Sequence, residues 1–292
     1  MTANAIEIRN LEKSFKSFKL GPIDLTVPKG AIYGLIGPNA AGKTTTIDLI
    51  MNMGRKDKGS IQVFRLDNEK NEAAIKARIG YVSPDLSFAA WNKVKRLIHF
   101  IRPYYPTWDQ DYCIDLMQKM NIGWNDKIGT MSFGSKVKLA VILALSHKPD
   151  LLLLDEPVIG VDAVSKKQIF TELLAAVQNE DRTVLISSHG LTDIERFTDH
   201  IGMIKNGKLL LEGPTSDIVD RFCMIDCIYD NGVLEQTKGI YPQEHSKNRW
   251  RALIDLESDA KTRLQSMGIG EISESPVTLE ELFIALTLAK EA

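Results

Sequence analysis

The segment from Gly37 to Thr44 has the residue types that bind phosphate groups. It follows the pattern G-x-x-x-x-G-K-[ST], after an apolar run that predicts a strand and before a helical pattern that ends near Met53. Backbone N–H groups can then surround phosphates, Lys43 can pair with their oxygens, and the Thr44 hydroxyl can bind Mg²⁺. A chance glycine turn is the alternative, which the flanking pattern disfavours. The candidate phosphate-binding residues are Gly37, Pro38, Asn39, Ala40, Ala41, Gly42, Lys43, Thr44 and Thr45.

A pair of carboxylates marks a second candidate site. Asp155 and Glu156 directly follow the apolar run at residues 151–154, and ligands of open α/β sheets bind at the carboxyl ends of such strands. We expect Asp155 to hold Mg²⁺ through a water molecule and Glu156 to polarise an attacking water molecule as general base. The alternative is a solvated strand end followed by a proline turn, which the upstream phosphate motif disfavours.

Apolar runs predict the scaffold that positions these residues. Residues 5–34 alternate short β-rich runs with turns, which predicts an antiparallel lead-in followed by a buried strand. The runs at 151–154 and 184–189 are typical of buried parallel strands. Residues 86–147 carry helical patterns interrupted by prolines, which indicates a mainly helical insert. The sequence therefore predicts an α/β fold built on a parallel sheet.

The main domain is predicted to close with a hairpin. Asn206-Gly207 lies between two apolar runs, which is the strongest local signal for a type I′ turn. Beyond it the pattern changes to short strands, a short helix and a final helix from Leu279 that begins with a capping box. We therefore divide the chain into a main domain, residues 1–220, and a small α+β C-terminal domain, residues 221–292.

The composition limits the classes of function. The 292 residues are 44% hydrophobic and 25% charged, which suits one large domain with a smaller appendage. The net charge of −2 gives no overall attraction to nucleic acid, so we expect no nucleic-acid partner. The first residues lack the features of a signal peptide, and the apolar runs are far shorter than the roughly 18 residues of a membrane span. The three cysteines lack zinc or disulfide spacing, as reduced cytoplasmic thiols do.

Five motifs together make a family resemblance specific. The order of GPNAAGKTT, MSFGS, LLLLDEP, Asp162 and SSHG resembles the nucleotide-binding subunit of ATP-binding cassette (ABC) transporters, over roughly residues 5–215. The resemblance implies a P-loop NTPase core with an antiparallel β subdomain and a helical subdomain insert, which hydrolyses ATP with Mg²⁺. It also implies two cassettes, identical or paralogous, that enclose two ATP molecules head to tail. A separate transmembrane permease subunit would hold the chain at the cytoplasmic face of a bacterial membrane.

The resemblance also carries over roles for single residues. His189 matches the switch histidine that senses the γ-phosphate and orients water, although a single histidine at a strand end is usually structural. Asp162 matches the loop aspartate that communicates between subunits. Phe15 matches the aromatic residue that stacks on adenine, and core packing beside Phe18 is the alternative. Lys43 would stabilise the transferred charge together with residues of the facing subunit.

Met131–Ser135 matches the signature loop that the family usually writes LSGGQ. Ser132, Gly134 and Ser135 would then meet the ATP of the facing subunit, because a serine and a glycine at the start of a helix form an anion-accepting surface. For the pentapeptide alone, an ordinary helix cap is an equal alternative. Phe133 and Ser135 depart from the usual glycine and glutamine, but the serine and the central glycine remain.

Two further departures concern the site. Ala40 replaces a common glycine of the phosphate loop at a position where the pattern tolerates any residue, so we expect little effect. The glutamine that in the family links Mg²⁺ and water to the helical insert corresponds to Pro84. Asp85 is the candidate metal ligand in its place. The resemblance thus carries over the location of this loop but not the role of the glutamine in coupling.

The segment YYPTWDQDYCIDLM and the ending Pro276–Phe283 are similar to bacterial exporters of antibiotics and antimicrobial peptides. The predicted function is therefore an ATP-hydrolysing subunit that powers a separate transmembrane exporter subunit. The alternative is a soluble ABC-type ATPase that is not coupled to transport, although such proteins usually have two cassettes or a long coiled-coil insertion in one chain. The C-terminal domain is predicted to be accessory or regulatory.

Overall fold

Over the residues that the structure describes, the fold is built from three sheets and the helices that cover them. The computed structural model describes residues 3–85, 88–180, 182–190, 195, 197–229, 234, 236–246, 249–266, 269 and 272–289. Its strands are β1 Asn4–Ser14, β2 Lys19–Pro28, β3 Ile32–Ile36, β4 Lys58–Val63, β5 Leu66–Asp67, β6 Ile79–Val82, β7 Leu151–Asp155, β8 Thr183–Ser188, β9 His200–Lys205, β10 Lys208–Pro214, β11 Phe222–Ile228, β12 Ile240–Ser246, β13 Arg249–Asp255 and β14 Ile272–Pro276. Its α-helices are α1 Lys43–Ile50, α2 Glu72–Lys76, α3 Val94–Ile101, α4 Gln110–Lys119, α5 Phe133–Ser146, α6 Ala163–Glu180, α7 Thr215–Asp220, α8 Ala260–Ser266 and α9 Leu279–Leu288.

The first sheet is antiparallel and has the strand order β2-β1-β4-β5. Alternate residues of β1, such as Ile6 and Ile8, are fully buried, because successive side chains of a strand point to opposite faces. They share one hydrophobic core with Ile47 and Leu49 of α1. This sheet confirms the predicted antiparallel lead-in.

The central sheet has the order β10-β9-β3-β8-β7-β6, in which β6, β7, β8, β3 and β9 pair in parallel. Leu151 and Leu153 of β7 face the core shared with α1, while Leu152 and Leu154 face the core formed by the helical insert. Because β7 is buried on both faces, its sequence is continuously apolar instead of alternating. The parallel sheet that the sequence predicts is present.

The segment between β6 and β7 is mainly helical, as predicted. It comprises α3, α4 and α5 with 3₁₀ turns at Ala89–Trp91, Arg102–Tyr104 and Ile128–Thr130. The apolar faces of these helices share one core with the central sheet. Within the described ranges, no helix combines the length and the hydropathy that crossing a bilayer requires.

The third sheet is antiparallel and has the order β12-β13-β11-β14. Cys223, Ile225 and Cys227 of β11 lie in a core with α8, whereas Met224 lies with α9 against the central sheet. The predicted capping box of α9 is present: the Thr278 hydroxyl accepts from the Glu281 N–H, and the Glu281 carboxylate accepts from the Thr278 N–H. The last helix thus joins the third sheet to the central sheet.

The predicted type I′ hairpin is also present. β9 and β10 pair antiparallel on either side of Asn206 and Gly207, whose φ angles are 48° and 75°. Positive φ at both central residues defines this turn. The Lys205 ammonium next to the turn donates to the carbonyl oxygens of Leu286 and Ala289, at 3.2 and 2.6 Å. The hairpin therefore also fixes the end of α9.

Candidate nucleotide-binding site

Four loops that carry predicted site residues leave the same edge of the central sheet. β3 leads into Gly37–Gly42, β8 into His189, β7 into Asp155 and Glu156, and β6 into Ser83–Asp85. These four strands are neighbours and parallel, in the order β3-β8-β7-β6. The carboxyl ends of parallel strands meet at one edge, so the loops converge there.

The phosphate loop has a backbone that few residue types tolerate. Gly42 has φ 111°, and a side-chain carbon there would lie 2.6 Å from Leu20 Cδ1. Ala40 has φ 61°, in the left-handed region that disfavours non-glycine residues by roughly 1–2 kcal/mol. The expectation that Ala40 has little effect on the site remains a prediction. The predicted phosphate-binding residues differ in exposure. The buried ones are Gly37, Ala41 and Gly42, and the half-buried ones are Pro38 and Thr45. Those at the surface are Asn39, Ala40 and Thr44.

Lys43, Glu156 and His189 form one connected group. The Lys43 ammonium, whose residue is 6% exposed, donates to Gly37 O at 2.8 Å and Pro38 O at 3.1 Å and pairs with Glu156 Oε1 at 3.2 Å. The other carboxylate oxygen of Glu156 lies 2.8 Å from His189 Nδ1. The structure thus places the predicted base between the predicted phosphate-binding cation and the predicted switch histidine.

Ser187 contacts the Asp155 carboxylate and the Glu156 backbone, a role that the sequence did not predict. Its hydroxyl donates to Asp155 Oδ1 at 2.6 Å and accepts from the Glu156 N–H at 2.9 Å. Asp155 is 2% exposed, and Glu156 adopts φ 45°, a strained backbone conformation of the kind that gathers at functional sites. Only the register that pairs Asp155 with Ser187 across β7 and β8 reveals this contact.

A third carboxylate, Asp48 of α1, shares the electrostatic environment of Asp155. Burial raises the pKa of Asp48, and the negative charges of Asp155 and Asp85 raise it further. Asp48 lies one helical turn after Thr44, so both side chains are on one face of α1. The sequence carries this signal only as the spacing of four residues between Thr44 and Asp48, which lies outside the phosphate motif. Asp85, whose N–H donates to Ser83 Oγ, lies at the end of the loop that contains Pro84.

The signature segment begins α5. Ser132 is the N-cap residue: its hydroxyl accepts from the Ser135 N–H at 3.2 Å and donates to Ser135 Oγ at 2.9 Å. A side-chain carbon on Gly134 would lie 3.2 Å from Asp162 Oδ2, so α5 packs closely on the loop before α6. Phe133 is exposed and packs against Gly160. Ser132 and Phe133 therefore present the signature segment to the surface.

Asp162 caps α6 within its own chain. Its Oδ1 accepts from the N–H groups of Val164 at 3.1 Å and Ser165 at 2.9 Å. The Ser165 N–H, followed by the Ser165 hydroxyl, lowers the pKa of Asp162. The predicted communication residue is thus held as an ionised carboxylate beside the signature segment.

Phe15 and Phe18 have different surroundings on the turn between β1 and β2. Phe15 is 51% exposed, whereas Phe18 packs on Gly42 of the phosphate loop. Their ring centroids are 6.2 Å apart. Since Phe15 is exposed and Phe18 packs against the core, the core alternative applies to Phe18 and not to Phe15.

Comparison with known proteins finds relatives along the whole chain. The family model described as ABC transporter matches residues 20–159. The ABC transporter ATP-binding protein YtrB of Bacillus subtilis (strain 168) is 31% identical over 284 residues, which cover 96% of this chain and 97% of that protein. The bacitracin transport ATP-binding protein BcrA of Bacillus licheniformis is 31% identical over 219 residues, or 74% of this chain and 72% of that protein.

Solved structures show the same fold. One ATP-binding subunit of an ABC transporter has a TM-score of 0.68 at 20% identity and covers 74% of this chain and 92% of its own. A dimeric post-hydrolysis state of an ATP-binding cassette bound to ADP and Pi has a TM-score of 0.64 at 18% identity, with coverages of 72% and 98%. The predicted fold class is therefore confirmed. With a relative aligned over nearly its whole length, the chain belongs to the ABC transporter family and is one of its ATP-binding, ATP-hydrolysing subunits.

Proposed function

We propose that this chain hydrolyses MgATP at the Lys43–Glu156–His189 group and so drives a transmembrane exporter subunit of a bacterial membrane. The observation that supports the proposal most directly is the convergence of these three side chains at one sheet edge. Glu156 lies 3.2 Å from the Lys43 ammonium and 2.8 Å from His189 Nδ1. Glu156 acts as general base on the attacking water, and His189 orients Glu156. Lys43 stabilises the charge that develops on the transferred phosphoryl group.

We infer that Thr44, Asp155 and Asp85 hold Mg²⁺. These groups offer the hard oxygen ligands that Mg²⁺ prefers. Burial, and next the negative charges of Asp155 and Asp85, raise the pKa of Asp48, and a divalent cation would offset these negative charges. When bound, Mg²⁺ neutralises charge on the β- and γ-phosphates. Ser187 keeps Asp155 in position for this role.

Cassettes of this family dimerise and work with transmembrane components, and two surfaces suit such partners. The exposed signature residues Ser132 and Phe133, with Asp162 beside them, suit a second cassette that completes each ATP site. On the helical insert, the rings of Trp91, Phe100 and Tyr104 form a row with centroid distances of 4.1 and 5.4 Å. Phe100 and Tyr104 are exposed, so this row suits a cytoplasmic helix of the permease subunit.

The relatives support export of antibiotics or antimicrobial peptides as the transported class. Two of them are named as bacitracin and lantibiotic transport ATP-binding proteins, and both are at least 31% identical over more than two thirds of this chain. Such a role would place the chain on the cytoplasmic face of the membrane. Residues 221–292 would form an accessory or regulatory domain. Its link to the central sheet would be α9, which shares a core with that sheet.

The test is steady-state MgATP hydrolysis by the purified chain and by Glu156→Gln, with size-exclusion chromatography in saturating ATP. Glu257→Gln is the matched control, since Glu257 is an exposed partner of Arg221 next to the third sheet. We expect Glu156→Gln to lose turnover and to form an ATP-bound dimer, while the control behaves as the unmodified chain. Absence of hydrolysis and of an ATP-dependent dimer in the unmodified chain, even with its permease, would exclude the proposal. Hydrolysis that no permease changes would favour the uncoupled ATPase.

A further inference from the structure

Asp57, in the loop between α1 and β4, contacts the end of β1, next to the turn that carries Phe15. This turn connects β1 and β2, and these two strands form a hairpin. We propose that Asp57 is a positioning residue for the nucleotide base, which holds Phe15 where it stacks on the ring. The inference rests on the proposed function, because it assigns Asp57 to the same ATP site. Nothing in the phosphate motif or the carboxylate pair points to Asp57, which lies thirteen positions after Thr44 in the sequence.

Three contacts join Asp57 to the last residues of β1. Its Oδ2 accepts from the Ser14 N–H at 2.7 Å, and its Oδ1 accepts from the Lys13 ammonium at 3.2 Å. In return the Asp57 N–H donates to Glu12 O at 2.9 Å. The Ser14 N–H, and next the Lys13 ammonium, keep the pKa of Asp57 below its ordinary value. The carboxylate is therefore charged at neutral pH and binds the residue directly before Phe15.

The turn beyond Ser14 is short, so a fixed Ser14 also restricts Phe15. The Phe15 N–H donates to Phe18 O at 2.8 Å, which closes the turn, and Phe18 packs on Gly42 of the phosphate loop. The Lys13 ammonium, which pairs with Asp57, also lies 5.6 Å from the Phe15 ring centroid. One end of the turn is thus held by the phosphate loop and the other end by Asp57.

This arrangement predicts an effect on the base and not on the phosphates. A half-exposed ring that moves freely must be ordered when it stacks, and that loss of entropy weakens binding. Asp57 removes part of this loss in advance by fixing the preceding backbone N–H. The triphosphate is held by Lys43 and the loop backbone, which Asp57 does not contact in the described hydrogen bonds.

The experiment compares binding of ATP and of tripolyphosphate, which has the phosphates but no base. Calorimetry with Mg²⁺ is done on the unmodified chain and on Asp57→Ala, Asp57→Asn, Phe15→Ala and the double variant Phe15→Ala/Asp57→Ala. Glu69→Ala is the matched control, because Glu69 pairs with Lys56 beside Asp57 without a described contact to the hairpin. Unchanged tripolyphosphate binding also shows that each variant is folded at the phosphate loop.

We expect Asp57→Ala to weaken ATP binding by about threefold to tenfold and to leave tripolyphosphate binding unchanged. Asp57→Asn should lose less, since its amide oxygen still accepts from the Ser14 N–H. In the Phe15→Ala background, the change at Asp57 should add no further loss, because the two residues act in series. KM for ATP should follow the same order while kcat stays constant.

Different failures are distinguishable. ATP binding that Phe15→Ala weakens but Asp57→Ala does not would overturn this inference and leave the proposed function intact. Equal weakening of ATP and tripolyphosphate, or independent losses in the double variant, would make Asp57 structural and overturn it as well. An unmodified chain that binds no ATP would overturn the proposed function and this inference together.

Discussion

His147 makes the stability of this protein depend on pH in a way that can be measured. It follows the last residue of α5 and is 2% exposed, with its ring stacked on Tyr105 at a centroid distance of 4.0 Å. Its Nδ1 has no hydrogen-bond partner among the described residues. Burial, and next the positive charge of Arg182, lower the pKa of His147 from 6.5 to about 4. The folded protein therefore keeps this ring neutral at neutral pH.

The sign and the size of the effect follow from the two pKa values. Between pH 6.5 and 4 the unfolded chain binds a proton at His147 that the folded protein does not, so acid favours unfolding. The contribution is complete above the unfolded pKa and is lost as the pH falls toward the folded one. The shift corresponds to about 3 kcal/mol of unfolding free energy, of which about 2 kcal/mol is lost between pH 7 and pH 5.

The assay is urea unfolding at both pH values, followed by tryptophan fluorescence. Trp91, Trp108 and Trp124 pack against the core that includes α5, so the signal reports on this region. His147→Phe is the comparison, because phenylalanine keeps a ring beside Tyr105 and does not titrate. We expect the unmodified chain to lose about 2 kcal/mol more than the variant between the two pH values. Equal losses in both proteins would refute the argument that burial keeps this ring neutral.

Two further predictions concern the last helix and the carboxylate support. Thr278→Ala removes the capping hydroxyl of α9 and should lower the free energy of unfolding by about 1 kcal/mol in urea titrations, whereas Thr171→Ala on the surface of α6 should change it less. Ser187→Ala removes the hydroxyl that fixes Asp155 and Glu156, so kcat for ATP hydrolysis should fall about tenfold. Ser187→Thr, which retains the hydroxyl, should recover most of this loss, and an unchanged kcat in Ser187→Ala would contradict the positioning role.

Strand ends are the part of the site that the sequence predicts well. The phosphate loop and the pair Asp155 and Glu156 each follow an apolar run that is too short and too continuous for a surface helix. Buried parallel strands bring their carboxyl ends to one edge, so the sequence predicts that these groups meet. The hairpin turn could also be predicted, because the φ angles of Asn206 and Gly207 depend on residue type more than on distant packing.

Contacts that depend on strand order and register could not be predicted from the sequence. Ser187 faces Asp155 only because β8 inserts between β3 and β7, and no local pattern encodes that order. Asp57 reaches Ser14 because Glu12 of β1 pairs with Lys58 of β4, which is again a choice of register between distant segments. A polar residue in a charged loop has the same sequence pattern whether it is solvated or fixes a hairpin.

The contact between Lys43 and Glu156 connects binding with catalysis in physical terms. A buried ammonium has three donors to satisfy, and here Gly37 O and Pro38 O accept two while Glu156 accepts the third. A γ-phosphate carries more charge and more acceptor oxygens than one carboxylate, so it is the stronger partner for Lys43. Its binding would release Glu156 from Lys43 while His189 still orients the carboxylate, which leaves Glu156 free to act on water. Glu156→Gln removes both the base and the negative charge that competes with the phosphate, so lost turnover and retained ATP are expected to arise from this one contact.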